Sequence, residues 1–171
     1  MDFVVVLLRA IHILLGVFWA GAIFLVAGFI GPAIKEAGPE GGKVMAILVK
    51  RKLLNVVPAA AILTILSGLW LYWHDSSGMQ SEWMRSRMGM TLGTGALLSL
   101  VAFAIGLTVM RPSTMKAMAL GQSLAQTPEG PAREATMAEI QRLRARAATG
   151  GVLVARLLGL AVLAMAVARY V

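Results

Sequence analysis

Four apolar stretches, Ala10–Ile34, Leu53–Trp73, Met88–Met110 and Gly150–Ala168, dominate the chain, the first of them opening at about residue 4. Each reaches or approaches the ~20 residues that cross a ~30 Å hydrocarbon core at 1.5 Å per residue. Within lipid only a helix or a closed barrel satisfies its own backbone, and no stretch here alternates at period two, so the spans are helices. The predicted fold is all-α: a four-helix transmembrane bundle, a single domain over 1–171, with a further cytoplasmic or interfacial helical segment at 111–149 between spans 3 and 4.

Composition closes off other classes. Of 171 residues, 58% are hydrophobic, and after four spans too little chain remains for a water-soluble domain. Any chemistry must be built between the helices or at their ends. The formal charge of +8 falls in loops beside apolar spans, where it sets topology and meets lipid headgroups rather than nucleic acid. With no cysteine, disulfides, thiolate metal sites and iron–sulfur clusters are excluded. The Met1-Asp2-Phe3 start has no basic region and its apolar run is too long for a secretory signal, so it reads as an anchor helix.

Charge gives an orientation. The first loop, residues 35–52, sets Lys35, Lys43, Lys50, Arg51 and Lys52 against Glu36 and Glu40; the third sets Arg111, Lys116, Arg133, Arg142, Arg144 and Arg146 against Glu129, Glu134 and Glu139. In the second loop Arg85 and Arg87 balance Asp75 and Glu82. Positive loops stay inside, so loops 1 and 3 are expected in the cytoplasm and both termini and loop 2 outside, in a bacterial-type inner membrane. Trp70, Tyr72, Trp73, Trp83 and Tyr170 form part of an aromatic belt at that outer face.

Loop 3 reads as an interfacial helix over Ser113–Gln126, a break at Thr127–Pro131, and an Arg-rich helix over Ala132–Ala148 that runs along or out of the surface before Gly150-Gly151 leads into span 4. Gly31-Pro32 and Pro58 should kink or end their helices. The Gly89-x-x-x-Gly93 motif marks close helix contact, an intramolecular crossing in preference to a dimer face. Arg156, inside span 4, is expected to snorkel to the cytoplasmic headgroups.

Only two histidines punctuate the chain, and opposed span directions put both near the outer side. His12 lies one turn inside Arg9, within a span, where an imidazole needs a hydrogen-bond partner, a metal or a haem. Two imidazoles at similar depth could ligate haem b, with Arg9, Arg85 and Arg87 as propionate partners. The bland alternative is an interhelical hydrogen bond at His12 and a solvated His74. A second constellation joins His74 to Met79, Met84, Met88 and Met90, soft ligands suited to Cu(I), with Met84 and Met88 an i, i+4 pair if that stretch is helical; methionine is also a common gap-filler. No acidic residue lies well inside a span, which argues against a carboxylate-driven proton or cation transporter.

Leu8-Arg9-Ala10-Ile11-His12-Ile13 followed by Gly16-Val17-Phe18-Trp19-Ala20-Gly21 resembles the first helix of CopD and HemJ-type membrane proteins, and Pro58-Ala59-Ala60-Ala61-Ile62-Leu63-Thr64 with Gly68-Leu69-Trp70 is similar to the HemJ-type second helix. The likeness covers spans 1 and 2. It implies a haem-b-binding oxidoreductase of the protoporphyrinogen oxidase kind, with His12 as haem ligand and a quinone or porphyrin as partner, or, on the CopD side, copper handling. After Trp83 an arginine stands near the place where HemJ-type chains carry a lysine. A small accessory subunit of a larger membrane complex, or a homodimer, without its own cofactor is the third class.

Overall fold

The computed structural model describes residues 2–124 and 126–171. It is helical throughout, with no strand among the described residues. Helix α1 (Phe3–Leu25) is capped by Asp2, whose carboxylate accepts the Val4 N–H at 3.0 Å. It runs through a π-helical turn, Val26–Ile30, into α2 (Gly31–Glu36). Then come α3 (Pro39–Lys50), α4 (Leu53–Asp75), the single turn α5 (Ser81–Arg85) and α6 (Arg87–Ile105). A second π-helical turn, Gly106–Met110, leads into α7 (Arg111–Leu124), and α8 (Pro131–Val167) ends in a 3₁₀ turn, Ala168–Tyr170. Four continuous helical stretches, Phe3–Glu36, Leu53–Asp75, Arg87–Leu124 and Pro131–Tyr170, are long and apolar enough to cross a membrane.

The prolines do not end their helices. Each π turn stands immediately before an X-Pro step, Gly31-Pro32 and Arg111-Pro112. A proline ring clashes with the carbonyl four residues back and offers no N–H to it, and widening the helix by one residue per turn relieves both problems. Pro58 sits inside an unbroken α4.

The long helices pack as two antiparallel hairpins: α1 against α4, and α6 against α8, with lighter contact between them through α4–α6 and α1–α8. The halves share a layout, each outgoing helix passing through a π turn and a proline before the chain returns. Small residues set the close approaches. A Cβ at Gly16 would stand 3.4 Å from Thr64 Cγ2, and one at Gly95 3.0 Å from Met165 Cγ and 3.2 Å from the Ala161 carbonyl oxygen. Gly89 and Gly93 both meet Tyr72, whose hydroxyl donates to the Gly89 carbonyl at 3.2 Å, so this GxxxG face serves the α4–α6 crossing. Trp19, Ala20, Ala61, Ala102, Val154 and Leu158 form the central core, with the Phe103 ring edge-on to Trp19.

Two segments differ from the sequence expectation. The first loop contains α3, an amphipathic helix whose signal was the Val44-Met45-x-Ile47-Leu48 run. In the third, α7 and α8 do not lie apart from the spans: α7 continues α6, and α8 runs unbroken through Gly150-Gly151 into span 4. Both glycines are buried, and a Cβ at Gly150 would meet Met110 Cγ at 3.1 Å, so they are packing points rather than a hinge. The two helices close on each other around Ala117, Ile140 and Leu143 with Leu120 and Leu124, a second small core that explains why they pair instead of spreading as separate connectors. Arg133 Nη1 donates to the Leu124 and Thr127 carbonyls, both at 2.9 Å, tying off the C-terminal end of α7. Ala125, within the expected Ser113–Gln126 helix, lies outside the described residues.

Candidate site on the helix seam at His12

The α1–α4 seam carries the chain's concentrated polar chemistry. Thr64 and Ser67 lie within an apolar helix, where an unpaired hydroxyl is costly, and both satisfy themselves against their own backbone: Thr64 Oγ1 donates to the Ala60 carbonyl at 2.8 Å, and Ser67 Oγ to those of Leu63 at 2.6 Å and Thr64 at 3.0 Å.

The Thr64 carbonyl takes a further donor from across the seam, His12 Nδ1 at 2.8 Å. A carbonyl oxygen can only accept, so Nδ1 carries the proton and, in the neutral ring, Nε2 keeps its lone pair. Gly68 makes this contact feasible. It lies one turn beyond Thr64, where a side chain would cover that carbonyl, and a Cβ there would stand 2.6 Å from His12 Cε1 and 2.9 Å from Nδ1. His12 and Gly16 on α1 thus mesh with Gly68 and Thr64 on α4, one helical turn apart on each side. A backbone carbonyl that fixes the tautomer and plane of an imidazole is the support found behind metal-ligating histidines.

Farther along the same seam, Arg9 Nη2 pairs with Asp75 Oδ2 at 3.5 Å. Asp75 lies seven residues after Gly68, two turns on, and so returns to the same face of α4. His74 does not. One residue off that face, it points about 100° away, stacks on Trp70 with ring centroids 5.2 Å apart and planes 20° from parallel, and approaches Asp75 Oδ1 through Nδ1 at 3.3 Å. The seam therefore carries the His12–Thr64 contact and, farther along, Arg9 on Asp75, a carboxylate that His74 approaches from the neighbouring face.

The remaining candidates are dispersed. Arg85 on α5 and Arg87 at the start of α6 are exposed. Met79 has a left-handed backbone, φ 66°, in the α4–α5 turn. Ser86 is extended and caps α6, accepting from Gly89 N at 3.1 Å, so Met84 and Met88 belong to different helices and their i, i+4 pairing does not arise. Met88 and Met90, two residues apart on α6, project about 200° from each other. Among the described residues no group of three or more His, Asp or Glu is arranged to hold a metal ion. Arg156 is exposed on α8 beside Phe24, Gly28 and Gly159.

Thr64 and Gly68 as neighbours of His12, and Asp75 as the partner of Arg9, were not singled out in the sequence. The signal for the first two was there in the matched four-residue spacing of His12/Gly16 and Thr64/Gly68, which becomes meaningful only once α1 and α4 are known to be adjacent. No family model, curated protein or solved structure matches the chain.

Proposed function

We propose that this chain is a four-helix transmembrane bundle of the CopD/HemJ type in a bacterial-type inner membrane, in which His12, in the outer half of the bilayer, would hold haem b. Its role is electron transfer between a lipophilic donor, a porphyrinogen or a quinol, and an acceptor at the membrane. The positive-inside rule supports a topology with the lysine- and arginine-rich α3 and α7–α8 segments in the cytoplasm and the termini and the α4–α6 turn outside.

The observation that carries the reading is the His12 tautomer. With Nδ1–H held by the Thr64 carbonyl at 2.8 Å, the free lone pair is on Nε2, the nitrogen that would be available to a haem iron. Haem b, when bound, supplies one-electron redox chemistry. The reading takes one protein imidazole rather than two, since the His74 ring stacks on Trp70 and approaches Asp75. Arg9 is engaged with Asp75, which leaves the exposed Arg87 as the outer-face cation for a propionate. The copper alternative has weaker geometric support, because its methionines lie on different elements and faces.

The test is an absorption spectrum of the detergent-solubilised protein, oxidised and then dithionite-reduced. A Soret band with high-spin character is expected, lost in His12→Ala and kept in His74→Ala. A full haem complement in His12→Ala, or no Soret band in wild-type protein produced with ample haem, would overturn the assignment.

A further inference from the structure

Helix α3 presents two unlike faces, and its glycines set which one is covered. Gly41 is buried, and a Cβ there would run into the backbone of Ile34 in α2; a Cβ at Gly42 would stand 3.3 Å from Arg144 Nη2 of α8. These close approaches fix the rotation of the helix. Gly41, Met45 and Leu48, at i, i+4 and i+7, form the covered side. Lys43, Val44, Ile47, Lys50 and Arg51, at i, i+1, i+4, i+7 and i+8, form a stripe on the opposite side, and all five are exposed.

The stripe mixes two kinds of group. Val44 is 48% exposed and Ile47 57%, and both stand between cations. Lys43 pairs with Glu40 at 2.7 Å, whereas Lys50, Arg51 and the following Lys52 have, among the described residues, no carboxylate within ion-pairing distance. Water satisfies the cations but not the two large aliphatic side chains among them. An anionic lipid surface satisfies both, with phosphates for the cations and the boundary of the acyl chains for the aliphatic groups.

Position along the chain favours lipid over a soluble acidic partner. The apolar run of α4 begins at Leu53, so Arg51 and Lys52 stand at the edge of the hydrocarbon. Ile47 lies four residues before Arg51, about 6 Å along the helix. The headgroup layer is roughly 5–8 Å deep on each side of a bilayer, so a soluble partner would have to displace lipid to reach Ile47.

We propose that α3 is a docking face for anionic phospholipid: Lys50 and Arg51, with Lys52 beside them, hold headgroup phosphates, and Ile47 and Val44 enter the interface. The proposal rests on the membrane-spanning reading and needs neither haem nor a particular orientation.

The chain has no cysteine, so Ile47→Cys carries a single NBD fluorophore. The full-length protein is placed in nanodiscs of phosphatidylcholine alone or of phosphatidylcholine and phosphatidylglycerol in equal parts, which offer the same lipid on both faces. A trace of spin-labelled phosphatidylcholine in each quenches a label that enters the interface. Blue-shifted, quenched emission is expected in the mixed discs, and water-exposed emission in phosphatidylcholine alone and in high salt. Adding Lys50→Gln and Arg51→Gln should lower the ratio of inserted to water-exposed label about tenfold or more, and Lys50→Arg with Arg51→Lys should restore it. A label at Ser123→Cys, exposed near the end of α7, should stay in water throughout. An Ile47 label that stays in water in both discs, that inserts equally in both, or that is indifferent to the loss of the two cations would overturn the proposal. Circular dichroism confirms that each variant is helical. A chain that fails to enter the discs at all would overturn the spanning reading and this proposal with it, whereas absence of haem would leave the lipid result standing.

Discussion

The His12 imidazole occupies the space that a side chain at Gly68 would fill, 2.6 Å from ring Cε1 to the position of the missing Cβ. One glycine thus does two things: it admits an aromatic ring to a tight helix crossing, and it uncovers the Thr64 carbonyl that the ring needs. The two residues form a unit, and neither makes sense on its own helix.

Gly68→Ala is therefore expected to expel His12 from its niche, breaking the 2.8 Å bond and destabilising the protein by about 1–3 kcal/mol. In the double variant His12→Ala/Gly68→Ala the alanine no longer clashes, and the cost of Gly68→Ala should fall by more than half. Thermal unfolding in detergent measures this cycle. Strict additivity of the two changes would mean that the contact does not form.

Topology is checked by reporter fusions after Ser77 and after Thr127, which should report opposite sides, Ser77 outside and Thr127 in the cytoplasm. A cytoplasmic signal at Ser77 would invert the arrangement and move His12 to the other leaflet.

The α7–α8 hairpin should weaken in acid. Glu139 accepts a hydrogen bond from Lys116 at 2.9 Å, and this bond first, then the charges of Lys116 and Arg142, hold its carboxyl below the ordinary value against the opposite pull of burial. A folded value below the unfolded one means the contribution is complete above the unfolded carboxylate range, about 4.3, and is lost as pH falls through the folded value. The difference in unfolding midpoint between wild type and Glu139→Gln should thus be present at neutral pH and shrink in acid. The pair is partly exposed, so the effect is small and sensitive to salt. A midpoint difference independent of pH would count against the link.

Replacing Met79, Met84, Met88 and Met90 with leucine should leave the unfolding midpoint within a few degrees of wild type, since all four side chains are exposed by 37% or more and leucine has a similar volume. Stoichiometric Cu(I) binding by wild type that disappears in the quadruple variant would instead assign these residues to a metal site.

Four helices long and apolar enough to cross a membrane were legible in the sequence because fitness for lipid is a signal in single residues: about twenty apolar side chains in a row suffice, whatever their neighbours are. That His12 needs a partner was legible for the same reason, as a lone imidazole in such a run, and the Thr64 carbonyl is one. Loop 3 was harder. Its helices could be read from pattern, but their pairing depends on Ala117, Ile140 and Leu143 meeting across a turn, and nothing local distinguishes a paired amphipathic helix from one resting on a lipid surface. The same limit applies at the site. Residues 12 and 74 share an end of the molecule by topology alone, yet whether they face one another depends on the rotation of α4 about its axis, which Gly68 and Thr64 set by meshing with His12 and Gly16. An apolar groove lined by Pro58 and Gly106 needs all four helices at once, because these residues come together only when both hairpins are assembled. Composition and period determine which segments leave water. Only packing, which couples residues far apart in the chain, decides which faces they turn to each other.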